Sequence, residues 1–333
     1  MWSLVKLSFL LSTVFHSIAA EFQNPYHPVA ALFGPKNKFV CNAVVLARGR
    51  ILTTADCLFL QKNKTYALGK PEEFHVALET HSIEQFQNGK AFAKSSKWKY
   101  LEKMHQKFSV KYDNKFGNNL FSDKLKAEEE NYLMKALRSG GIDPKGRTNY
   151  VQVLNFSIHP GFRGPFSNDL AVLDIPDAYP ADNSSVVEMS NVNVESAFNR
   201  VVQVHGFGVL SHGANETNRM AYFKVRTVEM YLIPPARCQS DLGDLFERDQ
   251  HMCLKPKSNE TLCFGFTGAP IVLDGKLIGI VEFGHQSCSL EAPVVGIRLD
   301  AFGDFLGLKP SGFLDRIRDA FRNLIERLMG VRL

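Results

Sequence analysis

Apolar residues fall into short β-branched runs separated by turn residues along most of the chain. Between residues 29 and 58 the segments CNAVVL and RILTT are bounded by Gly34, Pro35 and Gly49, a pattern that predicts hairpins of short strands. Similar runs recur at 151–156, 170–175, 200–204, 223–232, 271–273, 277–283 and 294–299. Helical spacing is almost absent between them, so the pattern predicts an all-β fold of barrels or a sandwich and argues against a parallel α/β sheet. Internal repeats, low-complexity tracts and a Walker-type glycine loop are absent.

Three stretches break this pattern. At the start, Lys6, the apolar run 7–18 and the small pair Ala19 and Ala20 read as an export signal over residues 1–20, with a mature start near Glu21. In the middle, Trp98, Leu101, Met104 and Phe108 recur at helical steps, as do Phe121, Leu125, Tyr132 and Leu137 more loosely, with Ser122 as N-cap and Gly140 as stop. At the end, Phe313, Leu314, Ile317, Phe321, Leu324 and Leu328 form a stripe flanked by Arg316, Arg318, Arg322 and Arg327, which predicts an amphipathic helix over 311–333. That helix is expected to dock on the chain's own barrel, with a partner or a membrane surface as the alternatives.

Charge sharpens the reading of the middle stretch. Residues 94–147 hold 13 Lys or Arg against 7 Asp or Glu, a net of +6 beside +5 for the whole chain of 333 residues. The basic balance is therefore local to a partly helical insertion, read as a solvated element packed by one face or as a surface for acidic glycan, lipid or protein partners. Hydrophobic residues make up 45% of the chain, enough for a full core, and no run after the first segment approaches the roughly 20 residues that span a bilayer.

Six cysteines, Cys41, Cys57, Cys238, Cys253, Cys263 and Cys288, suit three bridges in an oxidising compartment, and none stands in a C-x-x-C zinc pattern. Spacing alone leaves 15 pairings open. Sequons at Asn63, Asn155, Asn183, Asn215 and Asn259 are expected on exposed loops of a secreted, extracellular glycoprotein.

Three ordered segments carry a resemblance: TTADC at 53–57, NDLAVL at 168–173 and CFGFTGAPIV at 263–272. SIHPGF at 157–162, VHGFG at 204–208 and GIVEFG at 279–284 join them. Together they resemble the signatures of the chymotrypsin-like (trypsin-like) serine proteases over roughly residues 29–305, apart from the insertion. The resemblance implies two antiparallel six-stranded β-barrels with a cleft between them, within a homology domain placed at 21–310. It also implies the bridges Cys41–Cys57, Cys238–Cys253 and Cys263–Cys288.

Catalysis in that family needs a serine hydroxyl, a histidine to take its proton, a buried aspartate to orient the ring, and amides to stabilise the oxyanion. By the resemblance, Asp169 fills the aspartate position and Gly265 the oxyanion-pocket position, whereas Asp56 stands for the histidine and Thr267 for the serine. An ordinary carboxylate holds its proton near pH 4, against about 6.5 for imidazole, and is a poor relay at neutral pH. His159 and His205 fall in turns and His285 on a rim strand, so no other histidine is expected to serve. Activation in the family pairs a newly cut amine with an aspartate beside the serine, and here that aspartate is Phe266, with no matching cut site in EFQNPYHPVAAL. The specificity-pocket positions are Thr261, Glu282 and Gly284, and the first of these offers no anchor for a basic side chain.

These losses point to a secreted, non-catalytic homologue, not an enzyme, that acts by binding extracellular proteins and regulates a protease cascade. It is expected to need no cofactor and to bind no nucleic acid. A residual hydrolase using Thr267 and a glycosaminoglycan- or lipid-binding protein are the alternatives. If the register holds, Asp56, Asp169 and Glu282 converge. Such a cluster would share a proton, recruit a Lys or Arg, bind a cation such as Ca²⁺, or shed Glu282 toward solvent.

Overall fold

The computed structural model describes residues 28–62, 65–80, 82–83, 150–179, 186–190, 192–212, 219–284 and 288–307. The export signal, the basic insertion and the terminal helix expected from the sequence lie outside these residues. The first half contributes β1 (Val29–Gly34), β2 (Lys38–Ala47), β3 (Arg50–Thr53), β4 (Phe59–Lys62), β5 (Thr65–Leu68), β6 (His75–Ala77), β7 (Tyr150–Gln152), β8 (Asn155–Ile158) and β9 (Ala171–Asp174). The second contributes β10 (Val201–His212), β11 (Arg219–Ile233), helix α1 (Ala236–Leu242), β12 (His251–Pro256), β13 (Glu260–Leu262), β14 (Pro270–Leu273), β15 (Lys276–Gly284), β16 (Val294–Arg298) and helix α2 (Gly303–Leu306).

All the strand ladders are antiparallel. In the second half the order β11-β12-β16-β15-β14-β10 closes through a β10–β11 pairing into a barrel of six strands, with β13 added beside β10. The first half runs β7-β6-β1-β2-β3-β9-β8, and among the described residues its ends do not pair, so it is a half-barrel. The fold is the expected all-β pair, corrected in that one of the two barrels stays open.

Side-chain alternation along each strand explains how the halves join. In β1, Ala30 and Leu32 enter the core of the first sheet, while Val29, Ala31 and Phe33 face a second cluster with Phe207 of β10. The run VAALFG is therefore buried on both faces. Likewise Ile51 of β3 and Leu173 of β9 point inward, whereas Leu52 and Val172 pack against Leu277, Ile280 and Ile297 of the barrel. One continuous apolar seam thus fixes the two halves face to face.

The three disulfides are the pairs implied by the resemblance, Cys41–Cys57, Cys238–Cys253 and Cys263–Cys288. Of the sequons, Asn259 is exposed in the turn between β12 and β13. Asn155 corrects the expectation of an exposed loop, because it is half-buried within β8, opposite Asp174 of β9. Asn63, Asn183 and Asn215 lie outside the described residues.

Candidate functional site

The residues matched to the protease cleft meet at the seam between the halves. Asp56 sits in a short 3-10 turn after β3 and is 6% exposed, with Thr54 Oγ donating to its Oδ1 at 2.5 Å. Its backbone N–H donates to Oδ1 of the buried Asp169 at 2.7 Å, which ties that turn to the start of β9. Asn168, in the left-handed region at φ 51°, delivers Asp169 to this contact, and its own N–H is held by Gln250 Oε1 at 2.5 Å. A buried aspartate is therefore in place, with its Oδ1 held by the main chain of Asp56.

Thr267 stands on the turn before β14. Its carbonyl accepts from the Asn42 N–H at 2.8 Å, and its hydroxyl donates to the Glu282 carbonyl at 3.0 Å. The hydroxyl proton is thus directed at the main chain of β15.

Glu282 does not join the aspartates. Its carboxylate lies beside β12, where Oε2 is 2.8 Å from His251 Nε2, and both side chains are almost wholly buried. The Glu247 N–H donates to His251 Nδ1 at 2.9 Å, which assigns the ring proton to Nε2, facing the carboxylate. The separation is that of an ion pair, but its angle is not that of a hydrogen bond, and neither Glu282 oxygen has another hydrogen-bond partner. It is a close polar contact. Of the alternatives left open for Glu282, the structure gives a polar partner that the sequence did not point to, His251 on β12, two strands from β15 in the same sheet. Among the described residues the one group of metal-binding side chains drawn together is Cys41, Asp56 and Cys57, and its thiols are spent in a disulfide.

The positions matched to the specificity pocket are mostly buried. Thr261 on β13 is 1% exposed, and its hydroxyl has no hydrogen-bond partner. A methyl group built on Gly284 would lie 3.1 Å from the Leu262 carbonyl and 3.5 Å from that of Cys263. A methyl there would need the Leu262 carbonyl to give by a few tenths of an ångström. Along the same strand Phe283 is 7% exposed, because Phe166 packs its ring edge-on at 4.6 Å within a cluster that includes Cys238, Phe246 and Val295. Phe166 holds this position at φ 77°, a region that bulky side chains avoid.

Gly265 adopts φ 90°, and its carbonyl accepts from Asn42 Nδ2 at 2.7 Å. Phe266, at the expected aspartate position, is 2% exposed with its ring over Gly206 and Gly208. His159 has its Nδ1 accepting from the Gly161 N–H at 3.1 Å and its ring against Phe302 and Phe305, so burial pushes its pKa down. His205 bonds Thr227 Oγ at 2.9 Å. Both are turn or strand histidines, and His285 lies outside the described residues. Sequence reasoning missed Asn42, His251 and Phe166. The available signal for the first was a lone amide inside the apolar run CNAVVL.

Comparisons with known proteins place these observations. The Trypsin family model matches residues 132–306, just over half of the chain. A chymotrypsin-like serine proteinase of Haliotis rufescens is 25% identical over 172 residues, covering 50% of this chain and 65% of that protein. A trypsin of Phaedon cochleariae is 23% identical over 176 residues, covering 51% of this chain and 66% of its own length. The match thus spans just under two thirds of each relative. Among solved structures, mouse neuropsin, a serine protease expressed in the limbic system of the brain, superposes with a TM-score of 0.52 at 16% identity, over 86% of this chain and 94% of its own. That likeness shows the fold.

Proposed function

The chain belongs to the trypsin family, and from that premise we propose that it is a non-catalytic member that acts by binding. The observation that carries this reading is the environment of Thr267. Its hydroxyl is donated to a main-chain carbonyl at 3.0 Å, and the matched base position is a buried aspartate whose Oδ1 is bound by Thr54. A nucleophile of this type needs an adjacent base to remove its proton in the attack.

The test is hydrolysis of a mixed set of fluorogenic peptides by the full chain, by Thr267→Ala and by an active trypsin control. The reading expects the first two to coincide at background. Turnover by the full chain that vanishes in Thr267→Ala would establish a residual hydrolase instead.

We further propose secretion and a regulatory partner in an extracellular protease cascade, supported by the sequence at 1–20 and by three disulfides. The basic stretch 94–147 is the favoured contact for an acidic partner, whether protein or glycan. Retention on heparin to above about physiological salt, lost on deleting 94–147, supports it, and elution unchanged by the deletion removes that stretch from the account.

A further inference from the structure

Asn42 lies in β2 with no exposed surface, and all the hydrogen-bonding groups of its carboxamide are directed at the second barrel. Nδ2 donates to the Phe207 carbonyl at 3.0 Å and to the Gly265 carbonyl at 2.7 Å, and Oδ1 accepts from the Phe207 N–H at 2.8 Å. The main chain of the same residue adds two more contacts. Its N–H donates to the Thr267 carbonyl at 2.8 Å, and its carbonyl accepts from Thr53 Oγ at 2.9 Å. One residue of the first sheet therefore holds both ends of the Gly265–Thr267 turn together with the β10 strand beside it.

The rest of the turn is shaped to this clamp. Gly268 has φ 81°, and a methyl there would stand 2.0 Å from the Asn42 carbonyl, so only a glycine lets the turn approach so closely. Phe266 faces inward, and a methyl on Gly208 would stand 2.4 Å from its ring. The two glycines of β10 make the groove that the ring fills. The Val209 N–H donates to the Phe264 carbonyl at 2.6 Å and the Gly268 N–H to the Val281 carbonyl at 2.7 Å, closing the turn at each end.

We infer that Asn42 is a positioning residue that sets the Phe264–Gly268 turn as the chain folds, and that the turn therefore needs no cut ahead of β1 to reach its final form. An aspartate beside the nucleophile position would leave a charge waiting for a partner. A buried phenylalanine waits for nothing, and the amide from β2 supplies the polar anchor. The inference concerns regulation of the same cleft, but it does not depend on the loss of catalysis, since its readout is the mobility of the turn and not turnover.

The test is hydrogen exchange followed by mass spectrometry on the full chain, reading amides 264–268 against those of β11, β12 and β16. Losing the amide should speed exchange in the turn about tenfold in Asn42→Ala, as one or two hydrogen bonds would, while the barrel strands stay protected. Asn42→Asp keeps the shape but cannot donate to the two carbonyls, so its turn should exchange as fast as that of Asn42→Ala. Parental rates in either folded variant overturn the clamp. A second measurement needs no substitution at residue 42. With a site-specific protease sequence inserted between residues 27 and 28, exchange of the turn should agree before and after cutting to about twofold. Slowing of about tenfold on cutting would show a cleavage-dependent switch and overturn the inference.

Discussion

Glu282 and His251 show what a buried carboxylate demands of its neighbours. Glu282 on β15 is only 4% exposed. Its carboxylate crosses to His251 on β12 at 2.8 Å, with both side chains buried to within a few per cent. Removing the ring takes away the polar group beside a buried carboxylate, at a loss on the order of 1–3 kcal/mol. His251→Ala should therefore lower the urea midpoint by an amount of that order, and Glu282→Ala in the same background should recover part of it. Additive losses would mean the contact contributes nothing. His159 makes a pH-dependent contribution of the opposite kind. Burial holds its pKa below the ordinary 6.5, so the unfolded chain takes up the proton first. Its stabilising effect is whole above that value and is lost as pH falls through the window beneath it. His159→Gln should flatten the stability profile in that window alone, as pH-dependent thermal unfolding would show.

At the level of elements, two glycines with nearly the same backbone separate strain from contact. Gly268 and Gly275 have φ 81° and 77°, but a methyl on Gly275 in the β14–β15 hairpin meets nothing within 4 Å, whereas one on Gly268 meets the Asn42 carbonyl at 2.0 Å. Gly275→Ala should lose about 1 kcal/mol for the left-handed backbone, and Gly268→Ala at least about 3 kcal/mol because β2 must also move. Equal losses would contradict the tight junction. The strands around these turns were legible in the sequence wherever β-branched runs were long, as in 277–283 and 294–299. β12, written HMCLKP, was not, since its charge and proline interrupt the run, and the pairs β4–β5 and β6–β7 are too short to carry a period. The positions of Asp56, Asp169 and Thr267 were legible because the motifs are local. The direction of the Glu282 side chain was not, because His251 is distant in sequence and only the barrel closure brings it near. The plug of Phe166 on Phe283 likewise depends on a left-handed φ that no local pattern announces.

For the molecule as a whole, the apolar packing that builds the trypsin fold is in place. The seam through Val44, Leu52, Val172, Leu277 and Ile297 joins the halves, and three disulfides staple turns to it. Around the matched positions the packing is close: Phe166 lies edge-on to Phe283, Phe266 fills the space beside Gly206 and Gly208, and the Thr267 hydroxyl donates to β15. The most direct measurement is covalent labelling of the purified full chain by a fluorophosphonate probe, read by intact mass beside Thr267→Ala and an active trypsin. The account expects no adduct on the full chain beyond that on Thr267→Ala while the control labels fully. A stoichiometric adduct at Thr267, absent from the variant, would contradict it.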